Sequence, residues 1–124
     1  MGRYYSGDIE GKFWFGIQSS DDADFFGVDG YDTQELRYYY GESDLDGVED
    51  GIKACKKALG RNEKKLDDYF SKNNTYNEKM IADQTGIAIE KIPDLLEWYA
   101  RLELGIKIRD CIKKNGYCNF TAEL

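Results

Sequence analysis

The sequence predicts an α+β protein in which an N-terminal antiparallel sheet of about four strands is covered by C-terminal helices, the last one long. Apolar residues alternate with polar ones around a glycine turn in the first 40 residues, whereas later apolar residues recur at helical spacing. The only proline, Pro93, opens the longest helical segment. With 124 residues and 15% aromatic side chains, we expect residues 1–124 to form one domain.

Residues 1–40 are expected to supply the sheet. Residues 3–9 and 12–18 flank Glu10-Gly11, which is typical of a tight hairpin turn. Two further strands are predicted at residues 25–28 and 35–40. One face of such a sheet needs cover by helices.

The second predicted strand separates a core face from a face that carries one large aromatic. Phe13, Phe15 and Ile17 alternate toward the core, and Trp14 points the other way beside Gly16. Trp14 is therefore a candidate for contact with a ligand.

Residues 41–124 are expected to form the helical part, with a short extended tail at the C-terminus. The predicted helices cover residues 48–59, a segment from Asn62 to Lys72-Asn73-Asn74, a segment from Thr75 or Asn77 to Gly86, and residues 93 to about 115. The last helix carries an unusually broad apolar arc, which is typical of contacts on two sides. We therefore expect it to contact the chain's own sheet and a second subunit, in a dimer or larger oligomer. Ala100 and Gly105 indicate close approach by a neighbouring element.

The charge is unevenly distributed along the chain. Residues 1–50 carry 3 basic and 13 acidic side chains, a net of −10, while the whole chain has a formal net charge of −7. Such a surface disfavours nucleic acid and suits a basic partner protein, or it keeps the chain soluble. With no run of 18 apolar residues and no signal-like N-terminus, we expect no membrane contact and a cytoplasmic location.

The residue types exclude several kinds of chemistry. There is no histidine, so a Ser-His-Asp or Cys-His nucleophile system is impossible, and no phosphate-binding glycine loop is present. The odd number of cysteines indicates reduced thiols. The acidic stretch 41–51 resembles a calcium loop but places Lys53 where the bidentate glutamate belongs. We therefore expect no enzyme, no cofactor, no metal and no catalytic residues.

The segment 78–102 resembles a helix-turn-helix. Ala82, Gly86 and Ile92 stand at the spacing of that motif. Pro93 falls inside the presumed recognition helix, and residues 87–90 include no arginine, asparagine or glutamine to meet base edges. Helix packing is the favoured interpretation, and a DNA-binding regulator is an alternative.

The last predicted helix ends in a basic cluster of four residues: Lys107, Arg109, Lys113 and Lys114. Arg109 and Lys113 are four residues apart, so they share a face and could hold phosphate groups between them. The alternative is that cations near a helix C-terminus simply stabilise the helix through its dipole.

Two stretches, YYSGDIEGKFWFGIQSS and YARLELGIKIRDCIKKNGYCNFTAEL, resemble small phage-encoded proteins that antagonise bacterial immunity, in particular the Thoeris anti-defence sponges. The resemblance implies an oligomer that captures a cyclic ADP-ribose isomer without cleaving it. It also implies a sheet followed by a long helix on which two basic residues hold the diphosphate. Arg109 matches the first of these residues, and Lys113 stands where arginine is expected.

The predicted function is therefore sequestration of a small nucleotide signal in the bacterial host cytoplasm. Arg109 and Lys113, with Lys107, would hold phosphates, and Trp14, Trp98 and Tyr99 are candidates to stack on a base. The alternative is an acidic inhibitor of an anti-CRISPR kind that binds a host defence protein. In that case the exposed acids Asp21, Asp22 and Asp24 would dock on it.

Overall fold

The computed structural model describes residues 3–14, 16–30 and 35–124. The strands are β1 (Tyr4–Gly7), β2 (Gly11–Lys12), β3 (Glu35–Gly41) and β4 (Tyr117–Glu123). The helices are α1 (Leu45–Leu59), α2 (Asn62–Lys72), α3 (Glu78–Thr85) and α4 (Ile92–Asn115), with short 3-10 turns at Asp22–Phe26, Glu42–Asp44 and Ile89–Lys91. An antiparallel four-stranded sheet covered by helices, the last one long, confirms the predicted fold class.

The C-terminal segment is a central strand of the sheet. The strand order is β2-β1-β4-β3, with every pair antiparallel, so β4 lies between β1 and β3. Ala122 pairs with both Tyr5 and Leu36. The sheet is thus not confined to residues 1–40, because the predicted extended tail completes it.

The third strand predicted at residues 25–28 is wrong. Residues 22–26 form a 3-10 turn, in which Phe26 is fully buried and Asp22 also points inward. The second strand is shorter than predicted, because β2 ends at Lys12. Phe13 is buried and Ile17 is partly buried, as expected of core residues, while Phe15 lies outside the described residues.

The core lies between the sheet and α4. Tyr38, Tyr40 and Phe120 stack on the inner face of the sheet, with ring planes within 18° of parallel. On its other sides α4 packs against α1, α2 and α3. The chain itself therefore covers the broad apolar arc of α4, and the arc no longer supports the predicted second subunit.

Helix α1 crosses α4 at Gly105. A side-chain carbon added at this position would lie 2.4 Å from the Phe26 ring and 3.2 Å from Ile52. Close approach at Gly105 is thus confirmed. The residues that approach are Phe26 of the 3-10 turn and Ile52 of α1. This crossing divides the surface of the α1–α4 pair into two separate sides.

Local signals define the helix ends. Asn77 caps α3 by accepting a hydrogen bond from the Met80 amide at 2.8 Å, and Gly86 and Gly116 end α3 and α4 with φ of 77° and 83°. Pro93 lies in the first turn of α4, as predicted. Asn62 is the first residue of α2, as predicted, and no side-chain hydrogen bond among the described residues caps the N-terminus of this helix. In the described part of the chain, no helix has the length and apolar character to cross a membrane.

Candidate functional site

A groove between α1 and α4 gathers cationic side chains. Its cavity of about 290 Å³ is lined by Glu49, Ile52, Lys53, Lys56 and Arg109. The four α1 residues follow one another at steps of three, one and three, which places them on one flank of that helix. We call the groove formed by Lys53, Lys56, Arg109 and Lys113 the basic groove.

Arg109 is the central cation of the basic groove. Its side chain is 28% exposed, and its Nε donates a hydrogen bond to the Asp110 carboxylate at 3.0 Å. Within residues 3–14, 16–30 and 35–124, the two terminal nitrogens of its guanidinium group make no hydrogen bond. Those nitrogens can therefore donate to an incoming anion.

Lys113 reaches the groove through Glu49, which lines the cavity. Its Nζ lies 3.4 Å from the Glu49 carboxylate, which ties the last turn of α4 to α1. Lys56 forms a similar exposed contact, 3.6 Å from Glu63 on α2. Both ion pairs are largely exposed, so each contributes little stability and can rearrange around a ligand. The two carboxylates hold the lysines in position without burying them.

Lys107 lies on a different side of α4. Its Nζ donates hydrogen bonds to the Tyr5 hydroxyl at 2.9 Å and to the Glu10 carbonyl at 3.2 Å. It also lies 5.2 Å from the centre of the Tyr5 ring. Lys107 therefore fastens the β1–β2 turn to α4, and it does not line the basic groove as the sequence predicted.

Trp14 and Tyr99 belong to an aromatic cluster with Phe70 and Tyr76. The Trp14 ring lies 5.4, 5.6 and 6.1 Å from those of Phe70, Tyr76 and Tyr99. The Tyr99 hydroxyl donates to Asp67 at 2.6 Å, and burial together with this carboxylate raises the pKa of Tyr99. These rings pack against one another, and together they hold the segment after β2 against α2 and α4.

Trp98 lies in a third place. Its ring is 5.6 Å from that of Phe25, and the Arg101 guanidinium lies over both rings, at 4.7 Å from Trp98 and 4.9 Å from Phe25. Of the six residues predicted to form the ligand site, only Arg109 lines the cavity of the basic groove, and Lys113 lies beside it through its contact with Glu49, whereas Trp14 and Tyr99 meet each other elsewhere. No aromatic among the described residues lines the cavity of the basic groove.

Sequence reasoning missed the two lysines that α1 contributes. Lys53 and Lys56 are three apart and follow Glu49 at helical spacing, so their shared flank could have been recognised. That this flank faces Arg109 depends on the crossing of α1 and α4. Such a crossing angle is a tertiary feature, for which the chain has no local signal.

The exposure expected of the acidic docking edge is wrong for Asp22, and Asp24 is half-buried and hydrogen-bonded within the fold. Asp22 is 5% exposed, accepts a hydrogen bond from Gln18 at 2.8 Å and pairs with Arg101 at 2.6 Å. Asp24 accepts hydrogen bonds from the Tyr38 hydroxyl and the Gly30 amide. Only Asp21 remains exposed. Both carboxylates therefore stabilise the fold, and Asp22 is too deeply buried to contact a partner.

The remaining motifs have structural explanations. Residues 78–92 form a helix, a turn at Gly86 and the start of α4, with Ile87 and Ile92 buried as packing residues. The three cysteines form no disulfide. Across the described ranges, no group of three or more acidic or cysteine side chains could hold a metal ion.

Comparisons with known proteins add no identity. No family model, no curated protein and no solved structure was found to match this chain. A function therefore has to be argued from the site itself, together with the resemblance carried by the two sequence stretches quoted above.

Proposed function

We propose that this protein binds a phosphate-bearing small molecule in the basic groove and sequesters it without cleaving it. The observation that supports this proposal is the arrangement of Arg109 beside Lys53 and Lys56 around one cavity. A planar guanidinium group matches two phosphate oxygens at once, and ammonium groups add point charges. Three cations on one cavity exceed what stabilisation of a helix end requires.

The groove favours recognition through phosphates. Its volume of about 290 Å³ is at the small end of the range for ligand pockets, so it suits a phosphate or diphosphate while the rest of the ligand extends outside. Lys113 is paired with Glu49, and this exposed ion pair would open as the anion enters so that Lys113 can contact the phosphate. Because no described aromatic lines the cavity, base stacking has no part in this proposal.

The ligand class comes from the resemblance to anti-defence sponges. A cyclic ADP-ribose isomer carries a diphosphate, which fits a site built around Arg109 and Lys113. The protein would then be a phage-encoded antagonist that lowers the concentration of an immune signal in the host cytoplasm. An oligomer belongs to the same proposal, since such sponges are oligomeric.

Isothermal titration calorimetry against cyclic ADP-ribose isomers and cyclic dinucleotides tests this proposal. We expect one of them to bind, with affinity falling at least tenfold in Arg109→Ala because a charge-assisted hydrogen bond contributes about 1.5–3 kcal/mol. The matched control is Lys114→Ala, which removes a cation from the same helix, one turn further on and outside the groove. Absence of binding at high micromolar concentration, or equal binding by Arg109→Ala, would contradict the proposal.

Lys113→Arg offers a test in the opposite direction. An arginine at this position supplies the bidentate donor that the resemblance implies, so we expect tighter binding of the same ligand. Calorimetry should show a lower dissociation constant than that of the unsubstituted protein. Weaker binding would show that the ligand phosphates do not lie beside residue 113.

A further inference from the structure

A second surface combines aromatic rings with negative charge. We call Phe25, Trp98 and Arg101 the aromatic platform. The two rings meet edge to face at 5.6 Å, and the Arg101 guanidinium group lies over both. The platform lies where the 3-10 turn at 22–26 meets α4. It shares no residue with the basic groove.

Phe25 is a large apolar side chain that remains exposed on a turn already anchored by other residues. Its neighbour Phe26 fills the crossing of α1 and α4 and is fully buried, whereas Phe25 remains 40% exposed. The turn is already fastened to α4 by the Asp22–Arg101 ion pair. A phenylalanine left at the surface beside a tryptophan and an arginine has the composition of an interface hot spot.

Small residues on α1 form a floor beside the rings. A side-chain carbon added at Gly51 would lie 3.5 Å from the Phe25 ring. Ala54 and Ala58 follow Gly51 on the same flank of the helix, and both are exposed. Ala58 and Trp98 line a cavity of about 360 Å³, which is large enough for an apolar side chain.

The rim of this surface is acidic. Glu90 and Asp94 line the cavity beside Trp98, where Lys91 is the one lysine among the lining residues of the described chain. Glu97 is exposed and contacts Arg101 at 3.1 Å. The positive charge of Arg101 is balanced by Asp22 beneath it. An approaching partner therefore meets apolar rings beside three carboxylates and one lysine, a net negative rim.

We propose that the aromatic platform docks a basic amphipathic segment of a partner protein. One leucine or aromatic side chain of that segment inserts beside Trp98, and flanking lysines or arginines pair with Glu90 and Asp94. Arg101 lies against both rings and is held by Asp22, which keeps the platform rigid, so little ordering is needed on binding. This docking does not depend on the ligand proposed for the basic groove.

Two synthetic helical peptides probe the platform. Both carry leucines at positions i, i+3, i+4 and i+7, with lysine at the polar positions of one and glutamate at those of the other. The two tryptophan indole N–H resonances of the isotope-labelled protein report where binding occurs. We expect the lysine peptide to shift the Trp98 resonance and to leave that of Trp14 in place. Equal binding of the glutamate peptide, or no shift at Trp98, would overturn the proposal.

Phe25→Ser tests the apolar part of the contact. We expect at least a tenfold loss of affinity for the lysine peptide, as is usual when a hot-spot residue is removed. Tyr39→Ser is the matched control, since Tyr39 is an exposed aromatic on the sheet, and it should bind normally. Circular dichroism confirms that each variant is folded. Unchanged affinity in folded Phe25→Ser would overturn the proposal.

Glu90→Lys combined with Asp94→Lys tests the acidic rim. We expect binding of the lysine peptide to be lost, whereas Glu78→Lys combined with Asp83→Lys on α3 makes the same charge change elsewhere and retains it. Sedimentation of the unsubstituted protein and of Phe25→Ser tests whether a second copy of this chain covers the platform. A dimer that becomes a monomer on Phe25→Ser would mean that a second copy covers the platform, which would overturn docking of a basic partner.

Discussion

Asp22 is expected from its neighbours in the sequence to be a solvated acid, and in the structure it is buried and paired. In the sequence it stands among acids that suggest a solvated loop. In the fold it is buried between Gln18 and Arg101, the latter 79 residues away along the chain. Burial of a carboxylate requires such partners. The pair anchors the 3-10 turn and, through it, the aromatic platform.

We expect Asp22→Asn to lower the free energy of unfolding by about 2–3 kcal/mol, because it removes a charged hydrogen-bond acceptor from Arg101. Urea denaturation followed by circular dichroism measures this. Asp21→Asn is the control, and it should change stability by less than about 0.5 kcal/mol, as an exposed substitution does. Equal effects of the two substitutions would show that Asp22 is not anchored in the way described.

Cys55 gives a second prediction at this scale. Burial raises the pKa of its thiol to about 11, so almost no thiolate is present at pH 8. We expect iodoacetamide at pH 8 to leave Cys55 unmodified in the folded protein and to modify it in urea, as measured by peptide mass spectrometry. Rapid labelling of the folded protein would contradict the burial of this side chain.

The helices were predictable to a much greater degree than the strands. Each helix has local signals, such as Asn77 before α3 and Pro93 at the start of α4. Strand β4 alternates exposed and buried residues, but its place in the middle of the sheet depends on partners at the other end of the chain. The 3-10 turn was mistaken for a strand because two adjacent phenylalanines suit either structure.

The crossing of α1 and α4 can be tested by comparing two glycines. Gly105→Ala places a carbon 2.4 Å from the Phe26 ring, and overpacking of this kind costs about 1–3 kcal/mol. Gly47 is an exposed position of α1, where the atom nearest to an added side-chain carbon would lie at 3.5 Å, so Gly47→Ala should be neutral or stabilise by up to about 1 kcal/mol. Chemical denaturation measures both. A Gly105→Ala variant as stable as the unsubstituted protein would contradict the close approach of Phe26 to Gly105.

At the scale of the whole molecule, buried phenols and thiols couple stability to alkaline pH. Burial is the main cause that raises the pKa of Tyr38, Tyr40, Tyr99, Cys55 and Cys118. The unfolded chain therefore loses these protons at lower pH than the folded protein. The contribution of the thiols is complete below about pH 8 and that of the phenols below about pH 9, and each is lost as the pH rises further.

We accordingly expect the unfolding free energy to be steady from pH 7 to 8, to begin to fall above pH 8 as the unfolded thiols ionise, and to fall more steeply above pH 9 as the unfolded phenols ionise. Each group contributes a slope of about 1.4 kcal/mol per pH unit once the pH exceeds its unfolded pKa. Urea denaturation at pH 8, 9.5 and 10.5 gives the profile. A constant free energy up to pH 10.5 would contradict burial of these neutral groups.

The candidate site was only partly predictable for the same reason as the sheet. Arg109 and Lys113 share a helix face, which sequence spacing determines. Their lysine partners come from α1, and the aromatics predicted to join them are used in two other clusters. Which faces of different helices meet is decided by packing of the whole chain.

The central claim is that the basic groove captures a phosphate-bearing nucleotide. The most direct measurement is mass spectrometry of small molecules released by denaturation from protein purified out of cells that produce a cyclic nucleotide immune signal. We expect a phosphorylated nucleotide in near-stoichiometric amount from the unsubstituted protein and from Lys114→Ala, and little or none from Arg109→Ala. Absence of any such nucleotide from the unsubstituted protein, or equal recovery from Arg109→Ala, would contradict the account.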